Sequence, residues 1–340
     1  MVTVDASLAG YKAVSKLYNA LMTGLVLTLV SRRGEDVAAQ FVFGHFRRQH
    51  LEKFLPGLKK LGLDGLPDAV ACAQYHYFSN ALGGVKTEFM PESDTKAWVR
   101  YPPPRWIWQG TAICGIPRSV NEAMLHGWHG HNGVSLGNPR LGFVCTGQTV
   151  TGDPGLEGYY FDYGREIAER ERVRFAPDET APDFDPARVP VLDTNSWPEE
   201  RLKKVERSYA TEYVRSLVPT LAALLGPDEA GLDLAHTARL IGLQFYEEAA
   251  ALLDIDSNSP ADFAAFLGQL LAAQGEAAEI DRTAATVEVA GWRLMQGIEV
   301  APPMFDALNA MWEGALAAHN RHLRLVCQRS DSGLAWRVER

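Results

Sequence analysis

The sequence predicts an α+β fold: a tandem duplication of one helices-plus-antiparallel-sheet module, with the copies paired about a pseudo-twofold axis. Three observations predict it. Segments recur in the same order along the chain: FLPGL (54–58) with LVPTL (217–221), YHYFSNAL (75–82) with LQFYEEAA (243–250), and AWVRYPPPRWIWQG (97–110) with ATVEVAGWRLMQG (285–297). His131-Asn132 then matches His319-Asn320, and LGFVCT (141–146) matches LRLVCQ (323–328). Second, Leu141, Phe143 and Cys145 alternate with Gly142, Val144 and Thr146, the period of a half-buried strand. Third, a Pro- and Asp-rich connector over 176–198 separates the copies. Helices segregated on one face of an antiparallel sheet make an α+β layer, and a fused isologous pair would be pseudo-symmetric.

The elements follow in order. LYNALMTGLVLTLV (Leu17 to Val30) ends at Arg32 and Arg33. It falls short of the roughly 20 apolar residues of a spanning helix and lacks the cleavage site of a signal peptide. A buried or oligomer-forming helix over 11–30 is expected instead, giving a docking element for a homo-oligomer. Residues 1–175 form an N-terminal module expected to carry the site, 176–198 a linker, and 199–340 a degenerate C-terminal copy. The prolines at 177, 182, 186, 190 and 198 prevent the linker from burying apolar area. Ser196 and Glu199 make a capping box, Ser259-Pro260 starts a helix, and Leu225-Gly226-Pro227 stops one. Each module reads as helices, two strands around a Gln-Gly segment, a helix, and a terminal hairpin.

Composition narrows the function classes. The 340 residues carry a formal charge of -9, with 46% hydrophobic and 22% charged side chains. No Lys/Arg run exceeds two, so neither nucleic acid nor an anionic membrane is an expected partner. Cys72, Cys114, Cys145 and Cys327 form no CxxC pair, which fits a reducing cytoplasm. Glycine-rich dinucleotide and phosphate loops, the GxSxG elbow and the EF-hand loop are missing from the sequence.

Chemistry concentrates in NEAMLHGWHGHNG. On a helix, Glu122, His126 and His129 fall at i, i+4 and i+7, on one face, and a turn at Gly130 can fold His131 back toward them. His126 and His129 could then ligate a divalent Zn, Mn or Fe, or act without metal as acid and base. A third reading has all three imidazoles bonding to backbone. Gly127 and Gly130 weaken the helix that would hold ligands. Gly314 and Ala317 stand opposite His126 and His129 in the second copy, which favours a site in the first. Cys145 is a candidate nucleophile, with burial in the core the favoured reading. His76, Tyr101, Trp106, Trp108 and Trp128 could wall a small-molecule pocket, and Arg105 could meet a substrate carboxylate.

LGFVCTGQTVTGDPGLEGYYFDY, preceded by a helix and a His-containing turn, resembles the terminal part of bacterial L-2-amino-thiazoline-4-carboxylate hydrolase-like proteins over residues 120–163. The Gly-Asp turn is Gly152-Asp153, and the sequence departs from the pattern in lacking a Cys near Gly158. The resemblance implies hydrolytic opening of a small ring at a C–N or C–S bond. The expected function is thus a hydrolase or lyase acting on a small cyclic or aromatic polar molecule. The alternatives are a non-catalytic small-molecule binder or sensor with an aromatic pocket, and a scaffold subunit.

Overall fold

The computed structural model describes residues 1–104, 107–192, 199–330 and 333–340; the side chains of 199–208 lie outside the description. The Ser196–Glu199 capping box, Arg105 and Trp106 therefore fall outside the described residues. Two compact units form: Met1–Thr28 with Glu199–Arg340, and Leu29–Pro198. Each has helices on an antiparallel sheet, so the fold is α+β. The division differs from 1–175 and 199–340 at the N-terminus, where the first 28 residues join the C-terminal unit.

That first segment holds strand β1 (Val2–Thr3) and helix α1 (Leu8–Arg33). The helix is 26 residues long, well beyond the 17–30 run, with Arg32 and Arg33 complementing its C-terminal dipole. By length and composition alone it could cross a bilayer. Within the first unit, however, Val14, Leu17, Leu21 and Leu25 are buried. The Tyr18 hydroxyl donates to Gln274, and the glycines at 10 and 24 abut Ala273 and Thr237. One face of this helix is thus buried within the chain.

The unit Leu29–Pro198 continues with α2 (Glu35–Lys60), α3 (Asp68–Leu82), the hairpin β2 (Glu88–Ser93) and β3 (Lys96–Tyr101), and α4 (Arg118–Gly127). A 3-10 turn (His129–His131) and α5 (Asn132–Leu136) lead into β4 (Leu141–Gly147), β5 (Leu156–Asp162) and β6 (Val173–Phe175). The strand order is β2-β3-β5-β4-β6, antiparallel except for β6 along β4. Glu35 and Asp36 open α2, and Lys59 and Lys60 close it, each matched to the dipole. Gly127 has a packing role: a Cβ there would lie 2.6 Å from the Phe43 carbonyl oxygen, so only glycine lets α4 meet α2 this closely.

Two expectations change here. Leu141 to Thr146 is buried on both faces rather than half-buried. The reason lies in the connector: Ala176, Ala181 and Phe184 pack on the sheet face formed by Met90, Trp98, Val144 and Tyr159. Residues 176–184 of the connector thus do bury apolar area, and the Ala181 N–H donates to Glu157.

The other unit resumes with α6 (Glu199–Leu225), α7 (Pro227–Leu252), α8 (Pro260–Gln274), the hairpin β7 (Ala278–Asp281) and β8 (Thr286–Val289), and α9 (Pro302–His319). It ends in β9 (Arg324–Ser330) and β10 (Gly333–Glu339). Its sheet order, β1-β7-β8-β10-β9, repeats β2-β3-β5-β4 in β7-β8-β10-β9. Ser259 caps α8 by accepting the Asp262 N–H. A single left-handed glycine, Gly34 (φ 92°) or Gly226 (φ 79°), joins the two longest helices in each half.

Element order shifts part of the sequence matching. Residues 54–58 lie in α2 and 217–221 in α6, while 75–82 lie in α3 and 243–250 in α7. The helix preceding the first hairpin, however, is α3 in one unit and α8 in the other, so these helical matches are one helix out of step. His131 ends a 3-10 turn, whereas His319 ends α9. Asn138 and Asn320 each accept the N–H two residues on, ahead of the last hairpin of each unit.

Candidate functional site

In the unit Leu29–Pro198, α2, α3 and residues 128–136 cover the sheet face that carries Tyr101, Phe143 and Tyr160. Helical spacing puts His45, Gln49 and His50 of α2 on the face shared with Phe41, Val42, Phe46 and Phe54, so these polar side chains go inside. Cys72, Tyr75 and His76 enter from α3, and Asn132, fully buried, from α5.

A run of hydrogen bonds crosses this layer. Arg47 Nη1 lies 2.9 Å from His50 Nδ1 and, as a guanidinium, can only donate. His50 must therefore carry its proton on Nε2, which donates to Asn132 Oδ1 at 3.0 Å. Asn132 Nδ2 donates to Tyr160 Oη at 2.8 Å, leaving the phenol proton for His129 Nδ1 at 2.7 Å. One direction thus runs Arg47, His50, Asn132, Tyr160, His129. Alongside it, His76 stacks on His129 with ring centroids 4.4 Å apart, and its Nδ1 lies 2.8 Å from the Tyr101 hydroxyl. His76 Nε2 is buried with no hydrogen-bond partner among the described residues.

Burial keeps these groups uncharged. It pushes His45, His50 and His76 down to about 3, with the Arg47 charge adding to the effect on His50. The Tyr160 phenol is driven well above its ordinary value by the same cause.

His131 differs from them. It is half-buried, and its Nδ1 lies 2.8 Å from the carbonyl oxygen of His126. A carbonyl only accepts, so Nδ1 carries the proton and Nε2 presents a bare lone pair. Burial lowers its pKa, and the nearby Arg47 and Arg172 charges lower it further. Gly130 permits this placement, since a Cβ there would lie 2.9 Å from Val173 and 3.8 Å from Arg172 Cβ.

The remaining expected residues separate. His129 is buried and bonded to Tyr160, whereas half-buried His126 packs near Phe175. Glu122 accepts from Arg118 and from Gln148 Nε2. Gln148 in turn accepts from Asn121, which accepts from the buried Trp108 indole at 3.2 Å. Glu122 and Trp108 therefore belong to a second polar cluster at the end of β4. Trp128 stacks on Tyr75 and meets His50 edge-on, walling the histidine layer. Cys145 is buried, its thiol pushed up to about 12 by desolvation, so it sits as a core thiol rather than a thiolate nucleophile. Among the described residues, no group of three or more His, Cys, Asp or Glu side chains is placed to hold a metal ion.

His50, Asn132 and Tyr160 were not singled out from sequence. The signal for His50 was available in the α2 spacing from Phe46 to Phe54; Asn132 and Tyr160 carried none beyond their residue types. In comparisons with protein-family models, curated proteins and solved structures, nothing matches this chain.

Proposed function

We propose that the unit Leu29–Pro198 is a metal-independent acid/base enzyme, a hydrolase or lyase opening a small cyclic or aromatic polar substrate. The observation that carries this reading is His131, whose Nδ1–H is tied to a backbone carbonyl while its uncharged Nε2 is left open. An imidazole in that state removes a proton from water at neutral pH. The water oxygen adds to the ring carbon, the ring C–N or C–S bond then breaks, and the proton taken by His131 passes to the departing nitrogen or sulfur, while the Arg172 charge beside His131 favours the developing anion. The run Arg47, His50, Asn132, Tyr160 and His129, in which Arg47 donates to His50 rather than to substrate, holds the segment that carries His131, so these are positioning residues.

We also infer that the chain arose by tandem duplication. Beyond the shared strand order, the helices preceding the first hairpin have 26, 26 and 15 residues in one set and 27, 26 and 15 in the other. Setting Cys145 against Cys327, the ladders carry Gly158 to Trp336, Tyr160 to Val338 and Ala97 to Ala285. The last is the pairing expected from AWVRY and ATVEV.

The test is a proton-NMR screen of thiazolines, lactams and cyclic amidines for ring opening. A substrate opened by the natural chain and by His126→Ala, but not by His131→Ala, supports the reading. Undiminished turnover in His131→Ala overturns it.

A further inference from the structure

The edge strands of the two sheets are not alike. Those edges are β1 and β9 in one sheet, β2 and β6 in the other. β1 has two residues and β6 three. β2 carries Pro91 and an irregular register between Pro91 and Ser93. Short length, proline and bulges each keep an edge from recruiting another strand. β9 has none of these protections: all seven residues, Arg324–Ser330, pair with β10 in unbroken register.

The register fixes which backbone groups of β9 are left open. The Val338 N–H donates to the Ala285 carbonyl at 3.0 Å, so Leu334, Trp336 and Val338 turn their backbone groups toward β8. Ala335, Arg337 and Glu339 then face Gln328, Val326 and Arg324 across the hairpin. The N–H and C=O groups of Leu325, Cys327 and Arg329 therefore point out of the sheet. In the unit Leu29–Pro198 the same edge is closed. There β4 holds the place of β9 in the shared strand order. The Phe143 N–H donates to the Arg172 carbonyl at 2.8 Å, and the Cys145 carbonyl accepts the Ala176 N–H at 2.9 Å. Among the described residues, nothing bonds to the matching groups of Leu325 and Cys327.

The order of side chains along β9 selects its partner. Laid antiparallel to itself with Cys327 at the centre, the strand sets Leu325 against Arg329, Val326 against Gln328 and Arg324 against Ser330. All three outward residues then exchange bonds in both directions, and no two like charges stand opposite each other. Centring on Leu325 or Arg329 leaves part of the strand unpaired, and the second choice opposes two guanidinium groups. We propose that β9 pairs with β9 of a second copy of this chain, joining two five-stranded sheets into one across a twofold axis. The twofold consumes the open edge of both copies and closes the assembly at a dimer. The contact is one strand pair wide, so its dissociation constant falls nearer micromolar than nanomolar. It does not depend on the proposed hydrolytic activity.

The experiment takes the full chain from dilute to concentrated solution, with mass read by sedimentation equilibrium and backbone amide exchange by NMR. A monomer–dimer equilibrium is expected. The Leu325, Cys327 and Arg329 amides should slow as dimer forms, while those of Val326 and Gln328, bonded to β10, stay protected throughout. Leu325→Arg sets like charges opposite each other twice across the contact and should weaken the dimer by about tenfold or more. Protection of Val326 and Gln328 in that variant shows the hairpin intact. Adding Arg329→Glu to Leu325→Arg makes both pairs opposite in charge and should restore the dimer. A chain that stays monomeric leaves β9 to a strand of some other protein and overturns the proposal. So does a dimer in which the three outward amides exchange as fast as in the monomer, or one that Leu325→Arg leaves unchanged.

Discussion

The two units use one strand order and fill it differently. Between helices and sheet, the unit Leu29–Pro198 buries His45, His50, His76, His129 and Asn132. In the other unit the corresponding α8 presents Phe263, Phe266, Leu267, Leu270 and Leu271 to the core. That core does hold one buried histidine, His319. Its Nε2 lies 2.9 Å from the Ser259 carbonyl and its Nδ1 accepts from Tyr246, so both nitrogens are used. His131 also spends one nitrogen on a carbonyl but leaves the other open. The same residue type uses both nitrogens in one unit and only one in the other, and the second nitrogen is what the proposed role of His131 as a base rests on.

Substituting each histidine tests that distinction most strongly. His131→Ala should lower turnover by about 10²- to 10⁴-fold with little change in thermal midpoint. His319→Ala should leave turnover intact and cost about 1–3 kcal/mol in urea unfolding, because Tyr246 and the Ser259 carbonyl lose their partner. Equal effects of the two on turnover would erase the contrast.

Acid should also separate the units. The unfolded chain protonates His45, His50 and His76 below about pH 6.5, whereas the folded chain holds them neutral down to about 3. In that window the unfolded state binds more protons, so stability falls as pH falls, by roughly 2 kcal/mol per ring at pH 5. Amide exchange at pH 7 and pH 5 should show α2, α3, β3 and β5 losing more protection than α8, β8 and β10. Uniform loss would contradict the burial of neutral rings as its cause.

Asn132→Leu is the next largest effect. It takes the acceptor from His50 Nε2 and the donor from Tyr160 Oη inside the core, an expected cost of about 2–4 kcal/mol by chemical denaturation. Smallest is Gly127→Ala, whose new methyl meets the α2 backbone at Phe43. A loss of about 1–3 kcal/mol is expected, and a neutral result would mean that α4 can move away from α2 freely.

Much of this architecture was legible in the sequence. Period-two strands and the Cys145 and Cys327 hairpins announced an α+β fold, because strand register is locked to side-chain alternation. Helical matching slid by one helix, since FLPGL and LVPTL are short strings of common helix formers with no register of their own. The connector misled because proline content speaks to backbone hydrogen bonds, whereas Ala181 and Phe184 still bury their side chains. Among the histidines, spacing could place 126, 129 and 131 near one another. It could not reveal that a carbonyl, a phenol and a packing glycine would send their three rings to different surroundings.

The most direct measurement is long-range ¹⁵N–¹H NMR of the histidine side chains across pH 4 to 9. The predicted result is a His131 ring in the Nδ1–H tautomer at pH 7, titrating below the ordinary histidine value, with His319 in the Nε2–H tautomer. A His131 ring that is cationic at pH 7, or protonated on Nε2, would contradict its role as the base.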